Sequence, residues 1–108
     1  MKILAIGRRP EGVAPADFAR YQQAELRQAW QLYGDGVIRE MYTRTDAPNV
    51  VLMMEAPDLG QARAAIDGLP MVAAGVLTFD LMALGPFLHF QALFAPAAET
   101  EASGRSGS

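Results

Sequence analysis

The stretch VIREMYTRTDAPNVVLMMEA, residues 37–56, decides the fold because it places two strands directly after one another in the chain. Residues 37–45 and 50–56 are rich in the β-branched, aromatic and long apolar residues typical of strands. The polar residues between them, 45–49, favour a turn. The second of these strands is almost continuously apolar, which indicates that both of its faces are covered.

A helix and a further strand flank this hairpin on each side. Toward the N-terminus, residues Pro15–Tyr33 predict one amphipathic helix, preceded by a strand over Lys2–Arg8. Toward the C-terminus, the pattern predicts a second helix from about Pro57 to Asp67 and a strand over Val76–Leu84. The order β-α-β-β-α-β belongs to the α+β class and predicts a ferredoxin-like fold, with both helices on one face of the sheet.

The other face of such a sheet needs a cover, so we expect a homodimer or a larger homo-oligomer that assembles through the sheet. The segment Phe87–Phe94 is too apolar for a free tail, and we expect it to complete the surface of a neighbouring subunit. Residues 1–95 are predicted to form a single domain. Residues 96–108, without aromatics and rich in Ala, Glu, Ser and Gly, are predicted to be a disordered tail.

The composition argues against several classes of partner. The chain has 108 residues, 51% of them hydrophobic and 19% charged, and a net charge of −3. Apart from Arg8-Arg9 it has no cluster of basic residues, so we expect no nucleic-acid partner. No segment approaches the roughly 20 apolar residues of a membrane span, so we expect no membrane partner. Met1-Lys2 leads directly into a strand without a signal peptide, and we therefore expect a cytoplasmic protein.

The inventory of reactive residues narrows the chemistry further. With no cysteine and one histidine, a dedicated transition-metal site is not expected. Serine occurs only in the predicted tail, and Lys2 is the only lysine, which argues against a catalytic triad and against Schiff-base chemistry. Gly7 and Gly12 are not followed by the Lys-Ser/Thr of a phosphate loop. We therefore expect no cofactor, and either acid–base chemistry or binding alone.

Glu25 is the most informative residue because it interrupts an apolar helix stripe. At 3.6 residues per turn, Phe18, Tyr21, Ala29 and Leu32 all lie within about 40° of its direction. A lone carboxylate against apolar neighbours costs several kcal/mol unless it is paired, hydrogen-bonded or protonated. Glu25 is therefore either one half of a structural ion pair or a proton-transfer group. A small cavity between this helix and the sheet, with Phe18 and Tyr21 in its wall, would suit the second role.

Arg39, Tyr42 and Asn49 are the candidate hydrogen-bond donors to a substrate oxygen. Simple alternation puts Arg39 and Tyr42 on opposite faces of strand two, with Ile38 on the side of Tyr42. They could share a pocket only through a bulge or a second subunit.

Each of these candidates also has a structural explanation. Arg39 is close enough in sequence to offset the charge of Glu40, Tyr42 is a good strand former, and Asn49 is favoured in turns for its backbone conformation. Asp80 is a charge within a core strand and a further candidate for substrate binding, but an edge position would account for it. His89, among aromatic residues, is better explained by packing than by catalysis.

The chain resembles the muconolactone isomerase-like family of dimeric α+β barrel proteins. The resemblance rests on short signals spread over more than half of the chain. They are Glu25, Gly36, Arg39, Tyr42, Asn49, Leu69-Pro70 and the ungapped run from there through Asp80 to Pro86.

The resemblance implies the fold predicted above and a cofactor-free 1,3-proton shift in an unsaturated lactone. It also implies that Glu25 is the proton carrier and that Asn49 lies in the pocket. Two departures, Ala47 in place of an aromatic and Leu84-Gly85 in place of basic residues, indicate a different and less anionic substrate.

Three functions remain open at this point. The first is proton transfer on a small unsaturated lactone or cyclic ketone. The second, implied by resemblance to monooxygenases of the same architecture, is cofactor-independent oxygenation of a polycyclic aromatic compound in a larger pocket. The third is a non-catalytic binding or assembly module, for which Glu25 would be ion-paired and the cavity small or absent.

Overall fold

The computed structural model of the chain describes residues 1–96. It contains four strands, three α-helices and a 3₁₀ helix. In chain order these are β1 (Lys2–Arg8), α1 (Pro15–Gly34), β2 (Ile38–Thr43), β3 (Val50–Glu55), α2 (Leu59–Asp67), α3 (Pro70–Ala73), β4 (Thr78–Leu84) and the 3₁₀ helix Leu88–Phe94. The predicted order is confirmed, and the boundaries of the predicted elements differ from the observed ones by at most two residues.

The four strands form one antiparallel sheet in the order β2-β3-β1-β4. β1 lies between β3 and β4, where Ala5 is paired with Leu52 on one side and with Leu81 on the other. Residues Ile3 and Ala5 are fully buried under the helices, whereas Leu4 and Ile6, which point the other way, are only partly buried. This alternation shows that the helices cover one face of the sheet, as the ferredoxin-like fold requires.

α1 begins at the predicted residue and ends one residue later than predicted. Pro15 occupies the first turn, where its missing N–H is no loss, and the Asp17 carboxylate accepts a hydrogen bond from the N–H of Ala14 at 3.1 Å. The helix ends at Gly34, and Gly36 then takes a φ of +80°, which an L-residue with a side chain rarely adopts. The chain can therefore turn directly into β2.

The short helix α3 was not predicted. α2 ends at Asp67, and Pro70, the first residue of α3, is well suited to the first position of a new helix. α2 itself is capped by Asp58, whose carboxylate accepts the N–H of Gln61 at 2.8 Å. The pair of helices places Met71 and Leu69 against the core.

The hydrophobic core lies between α1, α2, α3 and one face of the sheet. Its largest fully buried side chains are Ile3, Ile38, Leu52, Met54, Ile66 and Leu69. In β3 only Leu52 and Met54 are buried, while Val51 and Met53 are partly exposed. The prediction that both faces of this strand are covered is thus met on one face only in the single chain.

The 3₁₀ helix Leu88–Phe94 is exposed along its whole length. The Phe87 and Phe90 rings pack edge to face, with 5.0 Å between their centres, but Phe94 is 86% exposed. The contact of the segment Phe87–Phe94 with a second subunit stays a prediction. None of the helices in residues 1–96 is long and apolar enough to cross a membrane. The predicted tail, 96–108, lies outside the described residues except for Pro96.

Candidate active site

A cavity of about 300 Å³ lies between α1 and the helix-covered face of the sheet. Four of its lining side chains are polar: Gln22, Glu25, Thr43 and Asn49. The remaining lining residues are Phe18, Leu26, Ala29, Ile38, Met41, Pro48, Val50, Leu52, Leu69, Met71, Leu77 and Phe79. An apolar cavity with few polar groups is the usual form of a small-molecule site.

One face of α1 forms the wall of the cavity that carries Glu25. Phe18, Gln22, Glu25, Leu26 and Ala29 are spaced by four, three, one and three residues, which places them on a single stripe of the helix. Ala29 is buried at the inner end, while Gln22 and Leu26 are exposed at the edge. The cavity side of the helix therefore carries exposed side chains at Gln22 and Leu26, the half-buried carboxylate of Glu25 and a buried side chain at Ala29.

The carboxylate of Glu25 is fixed by the backbone of α3. Its Oε1 accepts a hydrogen bond from the N–H of Met71, with 2.8 Å between nitrogen and oxygen. Met71 is in the first turn of α3, where backbone N–H groups have no partner within the helix. Among residues 1–96, no basic group lies within ion-pair distance of Glu25.

Burial raises the pKa of Glu25 above its ordinary value of 4.5, and the hydrogen bond from Met71 opposes that rise only in part. Desolvation disfavours the charged form of a carboxyl group, whereas a donor to the carboxylate favours it. A carboxyl group with a raised pKa holds a proton more readily than an exposed one does, which suits a group that both accepts and returns a proton.

A bulge in β2 determines which of its side chains reach the cavity. Ile38 is paired with Met54, but Glu40 is paired with Met53, so that one extra residue, Arg39, stands between them. As a result Met41 and Thr43 lie on the same side as Ile38 and line the cavity. The expectation that Ile38 shares a face with Tyr42 is wrong, because simple alternation does not continue through a bulge.

Three of the predicted site residues line the cavity: Glu25, Asn49 and Phe18. Asn49 belongs to the turn before β3, next to Pro48 and Val50. Tyr21 packs against the core but is not part of the cavity wall. The structure thus brings together the carboxyl group, one predicted donor and one predicted aromatic residue.

Arg39 and Tyr42 lie outside this cavity. The Nε of Arg39 donates to the carbonyl oxygen of Gly36 at 2.8 Å, and the hydroxyl of Tyr42 donates to the carboxylate of Glu40 at 3.0 Å. Together with the stacked rings of Trp30 and Tyr33 they form an open groove of about 550 Å³. This groove shares Leu26, Ala29 and Met41 with the cavity.

Asp80 is on the opposite face of the sheet from Glu25. β4 is an edge strand, and an edge position was the structural explanation offered for the charge of Asp80. Asp80 also forms an ion pair with Arg8 at 3.0 Å. Both side chains are more than half exposed. In the single chain, Asp80 therefore cannot contact a molecule that is bound next to Glu25.

Sequence reasoning missed Gln22, Thr43 and the Met71 N–H. Gln22 could have been found, because it is three residues before Glu25 and hence on the same helix face. The position of Thr43 depends on the bulge, and that of the Met71 N–H depends on a helix of four residues; neither has a clear sequence signal. Among residues 1–96, no three His, Cys, Asp or Glu side chains come together in a group that could bind a metal ion.

Neither a protein-family model nor a curated protein matches the sequence. Among solved structures, the chain is similar to 5-chloro-2-hydroxyhydroquinone dehydrochlorinase from Burkholderia phenoliruptrix AC1100, in complex with 2,5-dihydroxybenzoquinone. The TM-score is 0.66 at 16% identity, over 82% of this chain and 98% of that one. It is also similar to muconolactone isomerase, with a TM-score of 0.65 at 15% identity, over 80% of this chain and 90% of that one. The chain has the fold of these two enzymes.

The muconolactone isomerase fold confirms the resemblance inferred from the sequence at the level of architecture. Sequence identities of 15% and 16% show the fold alone, since one fold can serve many reactions. The catalytic role of Glu25 and the binding roles of the other predicted residues therefore stay predictions, and they rest on the geometry of the cavity.

Proposed function

We propose that the protein is a cofactor-free acid–base enzyme that shifts a proton within a small unsaturated lactone or cyclic ketone, with Glu25 as the proton carrier. The observation that carries this proposal is a half-buried carboxyl group in an apolar cavity, fixed by a backbone N–H and without an ion-pair partner among residues 1–96. Perturbed carboxyl groups in clefts are enriched at catalytic sites.

A single acid–base group would be enough for both proton transfers of this reaction. The Glu25 carboxylate removes a proton from a ring carbon next to the double bond, and the electron pair moves to the carbonyl oxygen as a dienolate. The resulting carboxylic acid returns the proton to a different ring carbon, so that the double bond has moved and the enzyme is unchanged. The amide groups of Asn49 and Gln22 and the hydroxyl of Thr43 are available as donors to the oxygen that gains charge.

The names of the two similar structures agree with chemistry of this kind. One is a dehydrochlorinase whose complex contains 2,5-dihydroxybenzoquinone, a single six-membered ring, and the other is an isomerase of a lactone. A cavity of about 300 Å³ is at the lower end of the range for ligand pockets and is large enough for one ring. Oxygenation of a polycyclic aromatic compound was expected to need a larger pocket.

The non-catalytic alternative required an ion-paired Glu25 and a small or absent cavity. Among residues 1–96 the carboxylate instead accepts one hydrogen bond, from an uncharged donor, and the cavity is large enough for a ring. Both observations favour the enzymatic hypothesis over a binding or assembly module.

Proton NMR of simple butenolides in D₂O tests the proposal. We expect deuterium incorporation or double-bond migration with the wild type, and a rate lower by at least about a hundredfold in Glu25→Gln, since a positioned acid–base group is worth that much. Glu11→Gln, the same substitution at an exposed position, is the matched control and should keep the wild-type rate. Exchange that persists in Glu25→Gln, or that is absent with the wild type, would contradict the proposal.

A further inference from the structure

Among residues 1–96, the polar groups that line the cavity include an acid but no basic group. They comprise one carboxyl group, two amides and one hydroxyl, from Glu25, Gln22, Asn49 and Thr43. No Lys, Arg or His of residues 1–96 is part of the lining. The only ionisable group that the described residues contribute to the cavity wall is therefore an acid.

Two arginines come near the wall from outside, and both contact lining residues rather than the cavity itself. The guanidinium carbon of Arg9 lies 4.6 Å from the centre of the Phe18 ring, in cation–π contact. Arg63 donates a hydrogen bond to the carbonyl oxygen of Phe79 at 3.1 Å. Of these two, Arg9 is the one that an anion could recruit, because its Nε is buried and makes no hydrogen bond within residues 1–96.

An anionic substrate would meet two unfavourable conditions in this cavity. Its charge would leave water for a mostly apolar wall to which residues 1–96 contribute no Lys, Arg or His. It would also lie close to the carboxylate of Glu25, and two like charges at one site oppose each other's ionisation. An uncharged carbonyl compound avoids both conditions and can still accept hydrogen bonds from the amides.

We propose that the cavity selects uncharged single-ring carbonyl compounds and rejects analogues that carry a carboxylate. This inference rests on the proposed function and specifies the substrate class of the same site. It follows from the lining residues of the present chain and from the volume of the cavity.

A pair of ligands of equal size tests the inference on the full-length protein. One is a butenolide with a carboxymethyl group, and the other is the corresponding primary amide, in which only the charge is removed. We expect the amide to bind at least about tenfold more tightly than the acid at pH 7.5, because the charge is not compensated. Ligand-observed NMR titration measures both affinities without requiring turnover.

A cation added to the cavity wall should reverse the preference. Thr43 is exposed at the edge strand β2 and lines the cavity, so Thr43→Lys introduces a positive charge at the wall. We expect this variant to bind the acid at least about tenfold more tightly than the wild type does. Thr45→Lys adds the same charge at an exposed turn position outside the cavity, and should leave the affinity for the acid unchanged.

The outcomes that overturn the inference differ from those that overturn the proposed function. If the wild type binds the acid as tightly as the amide, the inference is wrong, and a loss of that binding in Arg9→Gln would identify Arg9 as the partner of the anion. If neither ligand binds, the inference and the proposed substrate class fail together. If a γ-methyl butenolide exchanges its protons while the acid and the amide bind equally, only the inference fails.

Discussion

Glu25 is both the candidate proton carrier and the hydrogen-bond acceptor for the first turn of α3. The two roles have opposite effects on its pKa, since burial raises it and the N–H of Met71 lowers it. The net rise means that the folded protein retains this proton at pH values where the unfolded chain has lost it. The contribution of Glu25 to stability is therefore full below pH 4.5 and is lost as pH rises through the folded-state pKa.

The direction of this pKa shift predicts how substitutions at Glu25 change stability. In Glu25→Gln, the amide oxygen can still accept the Met71 N–H, but the group no longer titrates. We expect the free energy of unfolding of the wild type to fall relative to that of Glu25→Gln as pH is raised from 4 to about 8. Urea unfolding at a series of pH values measures the difference, and Glu11→Gln should follow the wild-type curve.

Comparison of Glu25→Ala with Glu25→Gln separates the effect of the hydrogen bond on stability from the effect of the charge. Alanine leaves the N–H of Met71 without its acceptor, and we expect a loss of about 1 kcal/mol relative to Glu25→Gln. A large and equal loss of stability in both variants would instead indicate an ion pair with a group outside residues 1–96.

At the scale of elements, the sequence predicted α1, α2 and the four strands, each of which has a clear periodicity, composition or end signal. α1 was predicted from its apolar stripe together with Pro15 and the glycines that follow it, and the four strands from their composition. The bulge in β2 and the helix α3 were not predicted, since each is a departure of a few residues that tertiary packing selects. Because these two features position Thr43 and the Met71 N–H, the site was predicted less completely than the fold.

Close packing of β1 against β3 and β4 leaves little room for a side chain at Gly7. A Cβ atom there would lie 3.1 Å from Cγ1 and the carbonyl oxygen of Val50 and 3.1 Å from Cε1 of Phe79. Both residues line the cavity, so Gly7→Ala should displace them, lower the free energy of unfolding by about 1–3 kcal/mol and weaken ligand binding. Calorimetry and NMR titration measure the two effects.

Gly34→Ala is the matched control for this prediction. Gly34 is the last residue of α1, and an added Cβ would meet no atom within 4 Å. We expect this substitution to raise the free energy of unfolding by about 0.5 kcal/mol, because alanine lowers the conformational entropy of the unfolded chain, and to have no effect on the cavity. An equal effect of both substitutions would show that steric contact at Gly7 is not the cause.

At the scale of the whole molecule, the single chain leaves an apolar surface uncovered. The open face of the sheet carries Leu4, Ile6, Met53 and Met82, all at least partly exposed, and the segment Phe87–Phe94 adds further exposed apolar side chains. Contiguous apolar surface of this kind marks protein contacts. It supports the prediction of a homo-oligomer that assembles through the sheet.

Truncation tests the part of that prediction that concerns Phe87–Phe94. A chain ending at Pro86 retains all strands and α-helices and every residue of the core. We expect it to sediment as a smaller species than a chain ending at Pro96, which keeps the segment and is the control. Identical sedimentation of the two chains would show that the segment does not take part in assembly.

The hydrogen bond between Glu25 and Met71 makes the charge of the carboxyl group observable. The N–H of Met71 donates to Oε1 of Glu25, so its NMR chemical shift depends on whether that carboxyl group is protonated. A backbone amide thus serves as a native spectroscopic reporter of the protonation state of the carboxyl group. It does so in the unmodified protein, without a dye, an isotope-labelled substrate or a substitution in the cavity.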